Sequence, residues 1–393
     1  MILYGEREVK APQAPRKPEL ASVFREYRNQ LGPLTIDQER AIQAIIDCRT
    51  AALGGHVSAC DTCGHQDIAY NSCRNRHCPK CGALAQARWI ERQEKAVLPV
   101  EYHHVVFTVP DILNPLFRAD PAMAYRLLFA AASETLIEVA ANPRHLGAQI
   151  GFTAVLHTWT QTLLLHPHVH CIVPGGGLAP TGRWRSSPKG FFLPVPVLAE
   201  VYRGKLLRQL ELAFGDDPNA REVLRQAARK RWVVFCKRPV AGAQQVLRYL
   251  GRYTQRSAIS DTRILDFDDG QVTFRYRDRA DANRSKTMTL AAPEFLRRVL
   301  LHVLPRGFVR IRHYGFLANC NRTAAIARCR EEFGPEQLPP EAPLRETWIE
   351  LHLRLTGVDV TLCPACKEGH MVIVAGLPPI RSDHRLPGRA TSP

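Results

Sequence analysis

Two cysteine pairs, Cys60-x-x-Cys63 and Cys78-x-x-Cys81, separated by fourteen residues, constrain this chain more than any other feature. In each pair the two intervening residues let both sulfurs turn toward one centre, as tetrahedral Zn2+ requires. Gly64 and Gly82 follow directly and free the backbone to fold back and offer N–H groups to sulfur. The expectation is one structural zinc held by Cys60, Cys63, Cys78 and Cys81, with Cys73 and His77 able to replace a ligand or serve a second ion. Twelve cysteines, crowded into pairs in a chain of 393 residues without a secretory leader, point to metal ligation in a reducing compartment rather than to disulfides. Cys363-x-x-Cys366-x-x-x-His370 is a half-site without a partner pair, and zinc is not expected there. Cys171 and Cys236 read as buried small apolar residues.

A second pattern carries the chemistry. His168-Val169-His170 on a strand of period two sends both imidazoles to one face and Val169 into the core. Two neutral imidazoles make half of a divalent metal site. The first candidate for a third ligand is Gln161, seven residues before His168 on the far limb of a turn, with His157 and His166 as alternatives. A carboxamide suits a hard ion such as Mg2+ or Mn2+. Further on, Tyr249 and Tyr253 lie four apart and share one face of a helix. Arg248, Arg252 and Arg256 flank them, which is unusual in a core helix and expected where phosphates are held. A phenol is a poor nucleophile near neutrality, its ordinary pKa being about 10, so a bound cation on the scissile phosphate would have to offset that. The combination suggests a tyrosine that attacks a phosphodiester, leaving a 5′-phosphotyrosine and a free 3′-hydroxyl. No Gly-x-x-x-x-Gly-Lys-[Ser/Thr] loop is present, in keeping with an exchange that needs no nucleotide hydrolysis.

A formal net charge of +16 draws the molecule to polyanions, nucleic acid first. Arg74, Arg76 and Lys80 make the cysteine ribbon basic. Arg275 and Arg277 alternate on one strand face with Phe274 and Tyr276 opposite, and Arg306, Arg310 and Arg312 form another cluster. Aromatic residues among them allow stacking on unpaired bases. No run of eighteen apolar residues occurs, and the first residues lack an apolar signal segment, so no membrane partner is expected and the protein is placed in the cytoplasm, with the nucleoid.

The organisation follows. Residues 1–20, with three prolines among charges, read as a disordered arm. Residues 21–98 read as a helical leader broken at Gly32-Pro33, then the zinc ribbon and a basic helix. Residues 99–305 alternate strands and helices and read as the catalytic domain, a sheet layered by helices. A basic helical extension is expected over 306–355, and a tail with the incomplete cysteine half-site over 356–393.

From about residue 25 to 330 the chain resembles the rolling-circle transposases of the insertion sequence 91 type, within the HUH (His-hydrophobe-His) endonucleases. The resemblance rests on Tyr70-Asn71-Ser72-Cys73-Arg74-Asn75-Arg76-His77-Cys78-Pro79-Lys80-Cys81, on His104-Val105-Val106-Phe107-Thr108, on His166-Pro167-His168-Val169-His170 with Val173-Pro174-Gly175-Gly176-Gly177, and on Tyr249-Leu250-Gly251-Arg252-Tyr253. It implies an α+β fold, an antiparallel sheet with helices on its faces. It further implies single-stranded DNA at element ends and target as substrate, His168 and His170 as the metal pair, and Tyr249 and Tyr253 as two nucleophiles. A replication initiator or relaxase with the same chemistry, and a zinc-dependent DNA-binding protein with a decayed catalytic site, remain the alternatives. The oligomeric state is left open.

Overall fold

The computed structural model describes residues 18–82, 89–90, 93, 97–240, 251, 257–333 and 347–380. Most of the expected arm, most of the basic helix after the ribbon, the tail from 381, and Arg248, Tyr249, Arg252, Tyr253 and Arg256 lie outside the described residues.

The leader forms α1 (Leu20–Tyr27) and α2 (Ile36–Asp47), parted at Gly32-Pro33 as expected. Helix α2 begins at Thr35 in a reciprocal cap: the Thr35 hydroxyl accepts the Gln38 N–H, and the Gln38 side chain accepts the Thr35 N–H. Strands β1 (Gly55–Cys60) and β2 (Gln66–Tyr70) follow, then β3 (Tyr102–Thr108), the short α3 (Asn114–Ala119) and the long α4 (Pro121–Ala141). Asp120 caps α4 by accepting the Met123 N–H, and Pro121 supplies a first residue with no N–H to satisfy. Strands β4 (Gly151–Trp159) and β5 (Leu165–Pro174) make a hairpin, and β6 (Gly176–Leu178) and β7 (Trp184–Ser186) a smaller pair. Next come α5 (Val195–Phe214), α6 (Pro218–Arg229) and β8 (Val234–Val240). The remaining elements are β9 (Ile264–Asp268), β10 (Gln271–Asp278), β11 (Arg284–Ala291), α7 (Ala292–Leu300), β12 (Ile311–Gly315), α8 (Arg322–Glu331), α9 (Trp348–Thr356) and β13 (Met371–Leu377).

Five of these strands form the central sheet in the order β12-β4-β5-β3-β8, every neighbour antiparallel. Its period-two alternation sorts the side chains. Val105, Phe107, Phe152, Ala154, Leu156, Val169, Cys171 and Val173 enter the main core, which α4 and α5 complete. The intervening positions, among them His104, His157, His168 and His170, therefore leave by the opposite face. The antiparallel sheet and leading helices agree with the α+β expectation. One part of it needs correction: within the stretch expected to be a basic helical extension, Ile311–Gly315 is an edge strand of this sheet. Arg310 is buried, and the Arg312 guanidinium lies over the Phe129 ring, 4.3 Å from its centroid, so these residues are folded inward.

A second core joins α1, α2 and α7 to the meander β9–β10–β11. Asp269 and Gly270, both at positive φ (47° and 70°), turn β9 into β10, as the Asp-Gly pair predicts. Leu163, from the tip of the β4–β5 hairpin, is fully buried in this core. The third sheet is the ribbon, in the order β13-β1-β2. Its outer strand comes from the far end of the chain.

Candidate metal centres and catalytic face

His157, His168 and His170 bring one ligand nitrogen each to within 4.8 Å of one another, and all three are buried. The sheet register explains the meeting. His157 on β4 stands opposite His168 on β5, and His170 follows two residues on, on the same face. The third imidazole is thus His157, the alternative to Gln161. Gln161 lies past the end of β4 in the hairpin turn, where its carbonyl accepts from the Arg263 guanidinium. His166 lies on β5, and its carbonyl accepts from His168 Nδ1 at 2.7 Å. That bond fixes the His168 proton on Nδ1 and leaves the Nε2 lone pair for a metal. His104 Nε2 and His170 Nδ1 lie 2.7 Å apart, one donating to the other. With the proton on His170 Nδ1, its Nε2 carries the lone pair.

Burial pushes His104 and His168 down to about 3 and holds His170 well below the ordinary imidazole range, with neighbouring imidazoles acting in the same direction. The rings are therefore neutral, the form that ligates. Arg279, exposed just after β10, also lowers His166, His168 and His170 by its charge. Trp159 stacks on His157 with ring centroids 4.8 Å apart and walls one side.

The hairpin that carries these residues is tied at its tip. Leu163 takes a left-handed conformation, φ 64°. Around it the Arg298 guanidinium donates to the Thr162 carbonyl and His302 Nε2 to the Leu163 carbonyl. Thus the second core holds one end of the hairpin and the central sheet the other. Three buried imidazoles, with the His168 proton held away from the centre by the His166 carbonyl, make a donor set that fits a divalent transition ion.

The cysteines assemble differently from expectation. Cys78 and Cys81 group with Cys48 and Cys73, whereas Cys60 and Cys63 group with Cys363 and Cys366. The four paired cysteines expected to share one zinc therefore fall into two clusters. The physical reason is strand geometry: β1 and β2 carry Cys60 and Cys63 to one end of the ribbon, while Cys48 at the end of α2 meets the 73–81 loop at the other. Cys73 joins a cluster, as one expectation allowed. His77 does not; its half-buried ring accepts the Leu304 N–H at Nε2. Cys48, not foreseen as a ligand, approaches Cys81 with sulfurs 3.3 Å apart. Burial pushes its thiol up to about 12, so a cation is what would draw the proton off.

Of the expected DNA contacts, Arg275 and Arg277 are exposed on β10 while Phe274 on the opposite face is buried. Arg74 is exposed at positive φ (52°). Lys80 instead pairs with Glu19 at 2.6 Å, and Arg76 donates to the Phe308 carbonyl, also at 2.6 Å, so both hold the ribbon to its neighbours. Among the described residues no helix is long and apolar enough to cross a membrane.

Residues 19–109 match a family model described as "Transposase zinc-binding domain", and residues 151–324 match one described as "Putative transposase". The second segment contains all three imidazoles; Cys363 and Cys366 lie outside both. The chain is 48% identical to the "Putative transposase y4qJ" of Sinorhizobium fredii over 377 residues, 91% of this chain and 95% of that one. It is 29% identical to the "Transposase for insertion sequence element IS801" of Pseudomonas savastanoi pv. phaseolicola over 314 residues, 73% of this chain and 72% of that one. No solved structure matches the chain.

Proposed function

This chain belongs to the insertion sequence 91 family of transposases, and from that premise we propose that it moves its element by metal-dependent cutting and joining of single-stranded DNA through tyrosine nucleophiles. The observation that carries this reading is the convergence of three buried, metal-competent imidazoles, His157, His168 and His170, on neighbouring strands of the matched transposase segment. A divalent ion bound there would draw charge from the non-bridging oxygens of a phosphodiester and ease attack at phosphorus. Imidazole donors favour Mn2+ over Mg2+, which prefers oxygen shells.

In the proposed reaction the Oη of Tyr249 or Tyr253 attacks phosphorus in line. The Oη–P bond forms as the P–O3′ bond breaks; the phenol proton passes to solvent, and the departing 3′-oxygen takes one up. The products are a 5′-phosphotyrosine and a free 3′-hydroxyl, and the reverse step joins a new 3′ end. Two tyrosines let one hold the first end while the other cuts the second. Arg248, Arg252, Arg256 and Arg279 would hold phosphates by charge-assisted hydrogen bonds. The zinc-binding ribbon and the Arg275/Arg277 strand face would grip the element ends and target in the cytoplasm.

The test incubates the protein with labelled single-stranded DNA carrying candidate element ends, with Mn2+ or with chelator, and resolves covalent adducts on a denaturing gel. Adducts should need metal, survive in one single Tyr→Phe variant, and vanish in Tyr249→Phe/Tyr253→Phe and in His157→Ala. Bound DNA without adducts on any end would replace this reading with a DNA-binding protein that has no cleavage chemistry.

A further inference from the structure

Cys363 and Cys366 stand some 300 residues from Cys63 and Cys60, yet their sulfurs lie 3.7 Å from them, Cys60 to Cys366 and Cys63 to Cys363. We propose that these four cysteines hold a structural zinc of their own, a clasp that closes the ribbon with the C-terminal segment. A tetrahedral site with Zn–S bonds of about 2.3 Å has sulfur–sulfur edges of about 3.8 Å. The observed spacing has that size, and it is far too long for a disulfide, whose sulfurs lie about 2 Å apart.

The backbone around the two pairs repeats the same turn. Cys60 O accepts from Gly64 N–H and Cys363 O from Lys367 N–H, at 3.1 Å in both. Cys60 N–H donates to His65 O and Cys363 N–H to Gly369 O, at 2.8 Å in both. Gly64 and Lys367 each take positive φ, 73° and 62°. In each turn two N–H groups point at sulfur, from Thr62 and Cys63 to Cys60, and from Ala365 to Cys363 and Gly369 to Cys366, all at 3.4 Å. Such donors spread the charge of four thiolates around one dication.

Two further contacts lock the halves together. Asp61 N–H donates to the His370 carbonyl, and His370 N–H to the Asp61 carboxylate at 2.8 Å. Strand β13 then runs antiparallel to β1 from Cys60↔Met371 to Gly55↔Leu377. A side chain at Gly369 would meet Cys60 Sγ at 2.5 Å, so the close approach of the two turns requires glycine there. The second ligand pair lies outside both matched segments, 19–109 and 151–324, so this zinc is not the one that the matched zinc-binding segment can complete by itself.

Zinc content of the full chain, measured by plasma mass spectrometry after purification without an affinity tag, tests the clasp. Cys363→Ser/Cys366→Ser should carry one zinc fewer per chain than the parent, and so should Cys48→Ser/Cys78→Ser. The combination should lack both. An undiminished zinc count in Cys363→Ser/Cys366→Ser would overturn the proposal. A readout on the unaltered protein guards against misfolded variants: alkylation followed by peptide mass spectrometry. Cys63 and Cys320 are both exposed. In the zinc-loaded chain Cys63 and Cys366 should resist alkylation while Cys320 reacts, and chelation should open Cys60, Cys63, Cys363 and Cys366 together. Cys63 and Cys366 reacting as fast as Cys320 before chelation would also overturn it.

Discussion

His104 is outside the three-imidazole group, yet its Nε2 lies 2.7 Å from Nδ1 of His170, and the pair sits in buried surroundings on adjacent strands. A ring nitrogen held in this way sets the tautomer and the direction of the ligating nitrogen, and loss of such a partner lowers metal affinity by about 10–100-fold. His104→Ala should therefore weaken Mn2+ binding by about that factor, while His157→Ala, which removes a ligand, should abolish saturable binding at the site. Gln161→Ala should leave affinity close to that of the parent. Free Mn2+ measured by electron paramagnetic resonance during titration separates the three. Parent-like affinity in His104→Ala would reduce that ring to a packing role, and loss in Gln161→Ala would return the third-ligand place to the carboxamide.

The element that matters most is the β4–β5 hairpin, because it carries all three imidazoles and its tip is buried in a different core. Leu163→Ala removes a fully buried side chain there and should destabilise the protein by about 2–5 kcal/mol; Mn2+ affinity should fall with it, since the strands that aim His157 and His168 lose their anchor. Urea unfolding beside the same Mn2+ titration checks both, and a change under about 1 kcal/mol would mean that the tip is not an anchor. Much of this element was legible in the sequence. His168-Val169-His170 shows its alternation, and in another element Asp269-Gly270 names the β9–β10 turn, because strand period and turn chemistry are local. His157 as third ligand was not settled, because the choice between it and Gln161 depends on where β4 stops and on cross-strand register, which distant packing fixes. The cysteine grouping failed to read for the same reason. Nothing between Cys81 and Cys363 signals that β13 returns to β1. Likewise Ile311–Gly315 is too short, and too polar at Arg312 and His313, to announce an edge strand of the main sheet. The tyrosine motif, read from spacing and resemblance, lies outside the described residues.

At the scale of the whole molecule, buried and half-buried histidines occupy the seams: His302 is buried, His77 and His313 half-buried. His77 accepts the Leu304 N–H, His302 bridges Thr158 and the Leu163 carbonyl, and His313 meets the Thr153 hydroxyl across β12 and β4. Burial, the main cause in each, pushes His77 down to about 3 and His302 and His313 down to about 4. In the unfolded chain the same rings titrate near 6.5. On acidification the unfolded state therefore takes up protons that the folded state refuses, and stability falls as pH drops from about 6.5 toward 4. At pH 5 each such ring withdraws about 2 kcal/mol, so three of them consume a large part of a typical stability of about 5–15 kcal/mol. Carboxylates act later: Glu294, held down to about 2 by Arg297 and Arg298, contributes support that is lost only below the ordinary carboxylate range. Urea unfolding free energies measured at pH 7, 6 and 5 should thus fall steeply, well before carboxylates protonate. Thiolate protonation at the zinc clusters pushes the same way, but a His302→Gln variant isolates the histidine contribution, since it leaves every cysteine in place. Its stability should depend on pH less steeply than the parent's, by up to about 1.4 kcal/mol per pH unit. An identical slope in parent and variant would show that His302 is already open to protons in the folded chain, and the seam between hairpin tip and second core would then be looser than its hydrogen bonds imply.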